Sequence, residues 1–252
     1  MNDKLGIRKT DDLNELLHSG LCTMAYQPIL ELKTKKTYGF EALLRGSNGT
    51  PLPNPDSLFN NGHLPPEVLL RLDMACVGSA LRSGRELAKT HHLFINIHSF
   101  TLYHLSLNLG SFAGILEELH IDPERIIFEI SERTDLSCVP EVEKNLREFM
   151  KLGIQAAIDD IGASFNWLHH MLNTMPAFLK VDRSFIHDII ASRRKQALVR
   201  SLNLMSGAMG LRLVAEGVED QQQAQMLGEI GVAFAQGYLF GRPQPAESWV
   251  KK

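Results

Sequence analysis

Polar residues that can bind metal ions or phosphate stand at the ends of eight short apolar segments of the sequence. Carboxylates brought together repel one another, so such a cluster requires cations. Oxygen ligands with one amide, and no cysteine or histidine, favour Mg²⁺ or Mn²⁺ over Zn²⁺. The tandem acids at 159 and 160 suit two ions that share one carboxylate, an arrangement that activates water for displacement at phosphorus. The candidates, in chain order, are Gln27, Glu41, Arg45, Asn96, Glu129, Glu132, Asp159, Asp160, Lys180, Asp182, Glu216, Glu219 and Gln236.

Stretches of helical length separate these segments. Helical spacing of apolar residues, or a glycine that can end a helix, predicts helices over 67–85, 111–119, 139–152, 193–209 and 220–230. The alternation of strand and helix predicts a parallel sheet. Eight such units allow the sheet to close into an α/β barrel, whose active site lies at the carboxyl ends of the strands.

Strand alternation indicates where the polar side chains point, because every second residue shares a face. Asn96 shares a face with Phe94, and Lys180 shares one with Phe178. The outer face of a barrel must be apolar against the helices, so the polar residues are expected to point inward near the C-terminal rim. Lys180 could orient a water molecule or neutralise developing charge, while Arg45 and Gln27 could hold phosphate and base edges. The residues expected to point inward are Glu41, Asn96, Glu129, Asp159, Lys180, Glu216 and Gln236.

Length and composition favour one cytoplasmic domain. The 252 residues fit a single α/β barrel, with a helical lead-in over 1–19 and a barrel core over 20–245. Three scattered cysteines suit reduced thiols, and neither a signal peptide nor an apolar run of membrane-spanning length is evident. A net charge of −3 argues against a binder of DNA or RNA duplexes.

Seven sequence motifs occur along the chain in this order: YQPI, EALLR, EISE, DD-x-G, LKVDRSF, AEGVE and QGYLFGRP. In order and spacing they resemble the motifs of the EAL-domain family, bacterial phosphodiesterases specific for cyclic di-GMP. The resemblance implies a TIM-like (β/α)8 barrel whose first strand runs antiparallel to the rest. It also implies hydrolysis of one phosphodiester bond of cyclic di-GMP to give linear pGpG.

The same resemblance implies two Mg²⁺ or Mn²⁺ ions. Lys180 resembles the lysine that contacts the nucleophilic water, and it acts with the catalytic acids Glu41, Asp159 and Asp160. The implied ligands are Glu41, Asn96, Glu129 and Asp159 for the first ion, and Asp159, Asp160 and Glu216 for the second.

Further residues are implied to bind the substrate or to support the site. Glu132 resembles the glutamate that holds the loop after the fifth strand. Glu219 and Asp182 are expected to hold the metal-binding and catalytic residues in place without binding the ions themselves. A homodimer is also implied, and contacts with other signalling proteins are possible partners of such a domain. The implied substrate contacts are Gln27, Arg45 and Gln236.

Three segments depart from the family pattern. The loop after the fifth strand usually reads DDFGTGYSSL, but here DDIGASFNWL has Ala163 and Ser164 in place of threonine and glycine. Serine is strained where the glycine has a positive φ, and in the family this loop couples dimerisation to the second metal site. The family's FIPLAE stretch is replaced by residues 58–66, and His98-Ser99 stands where Ser-Pro is frequent. Two alternatives therefore remain: a catalytically weak or inactive cyclic di-GMP receptor, and an interaction module that binds no nucleotide.

Overall fold

Eight strands close into one barrel in chain order. The structure, a computed structural model, describes residues 23–45, 65–131, 139–161, 171–172 and 175–250. This architecture confirms the TIM-like barrel. The strands are β1 Thr23–Glu31, β2 Lys36–Arg45, β3 His92–Asn96, β4 Ile126–Ser131, β5 Gln155–Ile161, β6 Phe178–Val181, β7 Arg212–Ala215 and β8 Phe234–Gln236.

The first strand runs antiparallel to both of its neighbours, β2 and β8. All other neighbouring strands are parallel. Only residues 32–35 join β1 to β2, and a parallel connection needs a crossover of about a dozen residues or more. The short connection therefore forces the antiparallel arrangement, and Lys35 completes the turn with a φ of 57°.

Helices follow most of the strands on the outside of the barrel. All five predicted helices are present with ends shifted by a few residues, and Gly231 ends the last of them with a φ of 94°. The predictions missed two helices of the described residues, Ser99–Ser106 and the short Arg183–Ile186, because SFTLYHLS and RSFI have no clear helical period. In the part of the chain that the structure describes, the named helices are α1 Pro66–Ala88, α2 Ser99–Ser106, α3 Leu109–Glu118, α4 Val139–Lys151, α5 Arg183–Ile186, α6 Arg193–Ala208 and α7 Gln221–Ile230, with 3₁₀ turns at Pro123–Arg125 and Ala246–Ser248.

A buried apolar layer fills the barrel and forms a floor. Six of its members stand two residues before an inward-pointing candidate on a parallel strand, and Ile29 stands two residues after Gln27 on the antiparallel strand. Because side chains repeat every two residues along a strand, this layer places the polar candidates directly above it. Its members are Ile29, Phe94, Ile127, Ala157, Phe178, Val214 and Phe234.

Several predictions concern segments outside the described residues. These are the helical lead-in 1–19, most of the long loop 48–66, Glu132, and the altered positions Ala163 and Ser164. Within the described residues, no helix is both long and apolar enough to span a membrane.

Candidate active site

The ammonium group of Lys180 stands at the centre of the polar layer. Its side chain is 0% exposed, and its Nζ lies 2.7 Å from Glu129 Oε1, 2.8 Å from Glu216 Oε1, 3.1 Å from Asp159 Oδ1 and 3.4 Å from Glu41 Oε2. Each carboxylate comes from a different strand or strand end, so closure of the barrel assembles this cluster. Among the described residues, one cation faces four carboxylates, so this part of the cluster carries a net negative charge when all four are ionised.

Burial and the neighbouring charges shift the pKa values of these groups. Burial raises the pKa of Glu129 and of Glu216 well above the usual value, and Lys180 opposes the rise. Burial also raises the pKa of Asp159. For Lys180, burial lowers the pKa, but the surrounding carboxylates, with Asp159 the largest contributor, outweigh burial and raise it well above its usual value. The ammonium therefore keeps its proton.

Amide side chains orient Glu41 on both of its oxygens. Asn96 Nδ2 donates to Glu41 Oε1 at 3.2 Å, and Gln236 Nε2 donates to Glu41 Oε2 at 2.6 Å. Gln236 Nε2 also donates to Gln27 Oε1 at 3.1 Å, and Gln27 Nε2 donates to the Gly241 carbonyl at 3.1 Å. A chain of hydrogen bonds thus ties three of the predicted residues to the carboxylate.

A bulge in β5 brings both tandem aspartates to the site. Ile158 pairs with Leu179 and Ile161 pairs with Val181, so two residues of β5 face Lys180 alone. Asp160 occupies the extra position with a φ of 59°, and its N–H donates to Asp159 Oδ1 at 2.9 Å. Regular alternation would have turned Asp160 away from the site, whereas the bulge places its carboxylate beside Asp159 and Glu216.

Two groups of acids have the geometry to hold cations. In each group, one oxygen per residue lies within 4.8 Å of the others, and Asp159 belongs to both. Glu129 Oε2 is buried and accepts no hydrogen bond from the described residues, so this oxygen has an unused ligand position. An all-oxygen donor set with a shared carboxylate fits a pair of hard divalent ions. The groups are Glu41, Glu129 and Asp159, and Asp159, Asp160 and Glu216.

A cavity of about 490 Å³ opens above the acids, a volume within the usual range for small-molecule sites. Arg45 lines it beside Glu41, at the end of β2. Burial lowers the pKa of Arg45, and the opposing effects of Glu41 and Tyr238 only partly offset this shift. One guanidinium nitrogen donates to the Leu44 carbonyl at 2.8 Å, which directs the side chain along the cavity wall.

The predicted supporting residues, Asp182 and Glu219, belong to neither group of acids. Asp182 accepts a hydrogen bond from the Ser184 N–H at 2.9 Å and so begins α5, just beyond Lys180. Glu219 has an exposed side chain, and its N–H donates to Gln223 Oε1 at 2.8 Å. Asp182 thus fixes the chain as it leaves β6, and a supporting role for Glu219 stays a prediction.

Two residues near the site were absent from the sequence predictions. Asp73, on the buried face of α1, is 3% exposed, lines the cavity and accepts the His98 N–H at 3.0 Å. Gly237 follows Gln236, and a Cβ atom there would lie 2.0 Å from the Val218 carbonyl oxygen. The signal for Asp73 was an acid beside Leu72 at an apolar helical position, while nothing local reveals the close approach at Gly237.

Comparison with known proteins identifies related sequences. The EAL domain family model matches residues 10–243. RocR of Pseudomonas aeruginosa, named a cyclic di-GMP phosphodiesterase, is 29% identical over 237 residues, covering 93% of this chain and 60% of RocR. NbdA of the same organism, also named a cyclic di-GMP phosphodiesterase, is 30% identical over 256 residues, covering 95% of this chain and 31% of NbdA. The chain therefore spans less than two thirds of the length of these curated relatives.

Solved structures show the same fold with ligands. BlrP1 of Klebsiella pneumoniae has been solved as a calcium/cy-diGMP complex and as a manganese/cy-diGMP complex, at 30% and 31% identity to this chain. The two comparisons cover 90% and 89% of this chain and 56% of the BlrP1 chain, each with a TM-score of 0.79. The ligands named for BlrP1 are a divalent metal and a cyclic dinucleotide.

Proposed function

Because the chain belongs to the EAL domain family, we propose that it hydrolyses one phosphodiester bond of cyclic di-GMP, giving linear pGpG, with two Mg²⁺ or Mn²⁺ ions. The observation that carries the proposal is the assembly of four carboxylates around the buried Lys180. In this reaction a water oxygen bonds to phosphorus and the bond from phosphorus to the ribose 3′ oxygen breaks. The product therefore keeps a 5′-phosphate.

The two acidic groups provide the ligands of the proposed ions. Asn96, which donates to Glu41 in the metal-free arrangement, can turn its amide oxygen to an ion. When bound, a pair of divalent cations supplies Lewis acidity and a nucleophile at neutral pH. The proposed ligands are Glu41, Asn96, Glu129 and Asp159 for one ion, and Asp159, Asp160 and Glu216 for the other.

Lys180 acts in this proposal as a fixed donor of positive charge. In the metal-free cluster, its carboxylate neighbours outweigh burial and raise its pKa above the usual value, which favours the ammonium form. An ammonium group has three N–H donors, which can hold the attacking water and stabilise charge on the phosphoryl oxygens. The contribution of Lys180 is therefore electrostatic.

Three polar residues are proposed to hold the substrate. Arg45 lines the cavity with a guanidinium group that can bind a phosphate oxygen. Gln236 Oε1 is buried and accepts no hydrogen bond within the described part of the chain, and Gln27 is its neighbour. These two amides can bind nucleotide polar groups once the substrate is present.

A receptor that binds cyclic di-GMP without cleaving it is the second candidate. The specific observation is the pair Ala163 and Ser164 in the loop that follows the tandem aspartates.

Within the proposal, the protein is a cytoplasmic homodimer that also contacts other signalling proteins.

The test is an assay of the purified protein with cyclic di-GMP and Mn²⁺ or Mg²⁺, with pGpG followed by chromatography. Metal-dependent product is expected, and Glu41→Ala and Asp159→Asn should abolish it while the fold persists. Glu148→Gln, a change of an exposed acid paired with Lys151, is the matched control and should retain full turnover. Nucleotide binding without product would favour the receptor, and absence of both binding and product would overturn the proposal.

A further inference from the structure

Two stacked rings form part of the cavity wall beside the metal ligands. The rings of His98 and Phe100 are nearly parallel, with 11° between their planes and 5.3 Å between their centroids. Both residues line the 490 Å³ cavity. Phe100 remains 36% exposed, so its ring does not simply fill the core.

Hydrogen bonds of the His98 backbone hold the stacked pair in place. His98 precedes α2, and its N–H donates to Asp73 Oδ2 at 3.0 Å, while its carbonyl accepts the Leu102 N–H at 2.9 Å. Asp73 belongs to α1 and is almost completely buried, so the acceptor is fixed. The first turn of α2 therefore presents the two rings in a defined orientation before any ligand arrives.

Exposed apolar groups elsewhere on the same helix belong to a different surface. Tyr103 is 51% exposed and Leu107, which follows the helix, is 62% exposed, but neither lines the cavity. His98 and Phe100 are thus distinguished by lining the cavity, and not by exposure alone. Tyr103 lies on the same helix but outside the cavity, so Tyr103→Ala provides a matched control.

We propose that the His98–Phe100 pair is the surface on which one purine base of the substrate stacks. The inference rests on the proposed function and adds a base-binding subsite to it. His98 lies two residues beyond Asn96, about 7 Å of extended chain from a proposed ligand, and a nucleotide base lies one ribose away from its phosphate. Aromatic faces bind bases by stacking, with little dependence on base identity. The pair therefore contributes affinity for the base, and not the choice of guanine.

The test measures cyclic di-GMP binding by calorimetry in the presence of Ca²⁺, the ion named in one BlrP1 complex. Phe100→Ala should weaken binding by roughly 5- to 150-fold, the effect of losing one base–aromatic stack. Phe100→Trp should restore most of the affinity, and Tyr103→Ala should bind like the wild type. Binding of Mn²⁺ alone should be the same in all four proteins.

Several outcomes would overturn this assignment. Wild-type affinity in Phe100→Ala would do so, and so would an equal loss in Tyr103→Ala. Weakened Mn²⁺ binding in Phe100→Ala would show that the ring only supports the metal ligands. If Phe100→Ala does not fold, cyclic di-GMP binding is measured on Phe100→Leu, which keeps apolar volume without a planar face. Phe100→Leu should still lose affinity, and wild-type affinity in it would overturn the assignment. A wild-type protein that binds no cyclic di-GMP would instead overturn the proposed function together with the subsite.

Discussion

Replacing Lys180 by methionine should destabilise the metal-free protein strongly. The substitution keeps an unbranched side chain of similar length. Among the described residues, it removes the only cation within 3.4 Å of the Glu41 carboxylate, and it leaves Glu129 at 0% side-chain exposure without its 2.7 Å partner. Removing one partner of a buried ion pair costs about 3–5 kcal/mol. With an m-value of about 3 kcal/mol/M, the midpoint of urea unfolding should fall by roughly 1–1.7 M.

The assay is urea unfolding followed by circular dichroism, in EDTA and again with Mn²⁺. In EDTA the full loss is expected, while bound ions should neutralise the same carboxylates and reduce the difference. Lys89→Met is the matched control, because Lys89 also lies 2.7 Å from a carboxylate, that of Glu86, but both side chains are about half exposed. An exposed pair contributes about 0–1 kcal/mol. Equal midpoints for Lys180→Met and Lys89→Met in EDTA would refute the reasoning.

Three other predictions concern packing, pH and metal binding. Gly237→Ala should lower the free energy of unfolding by about 1–3 kcal/mol or more, measured by thermal unfolding, because its Cβ would meet the Val218 carbonyl oxygen at 2.0 Å. Gly228→Ala is the control and should be neutral or stabilising, because a Cβ there has nothing within 4 Å. A larger loss of stability in Gly228→Ala than in Gly237→Ala would contradict the packing argument. Burial raises the pKa of Tyr26 above its usual 10.0. The stability that the neutral Tyr26 hydroxyl contributes is therefore fully present below about pH 10 and is lost as the pH rises above it. In alkaline titrations, the free energy of unfolding of Tyr26→Phe should fall less steeply with pH than that of the wild type. Mn²⁺ at 100 times its Kd should stabilise the wild type by about 2.7 kcal/mol per site, and Asp159→Asn, which alters the acid shared by both groups, should remove most of that gain in calorimetry.

The fold could be predicted from the sequence because its signals are local. Strand-length apolar runs and helix-length gaps predicted the barrel, and the two-residue period placed Glu129 and Lys180 on the same faces as Ile127 and Phe178, as observed. The antiparallel first strand came from family resemblance, although the short connection over residues 32–35 forces it physically.

The parts of the site that could not be predicted depend on departures from regular geometry or on distant contacts. The bulge opposite Lys180 is one such departure: Asp160 was predicted from the tandem acids and the family resemblance, but strand alternation alone would have excluded it from the site. Asp73 is bound by a backbone N–H from another element, His98, which no local pattern specifies. The roles of the individual site residues stay predictions until variants are assayed.

The reversed first strand also decides on which side the chain enters the barrel. Thr23 pairs with Arg45, so β1 begins at the rim that bears the acids and ends at the opposite end, where Glu31 pairs with Phe234. In an all-parallel barrel, the first strand would begin at the far end. A dye attached at Thr23 would consequently sit at the rim that bears the acids, and a force applied to Thr23 would act on that rim before it acted on the apolar floor.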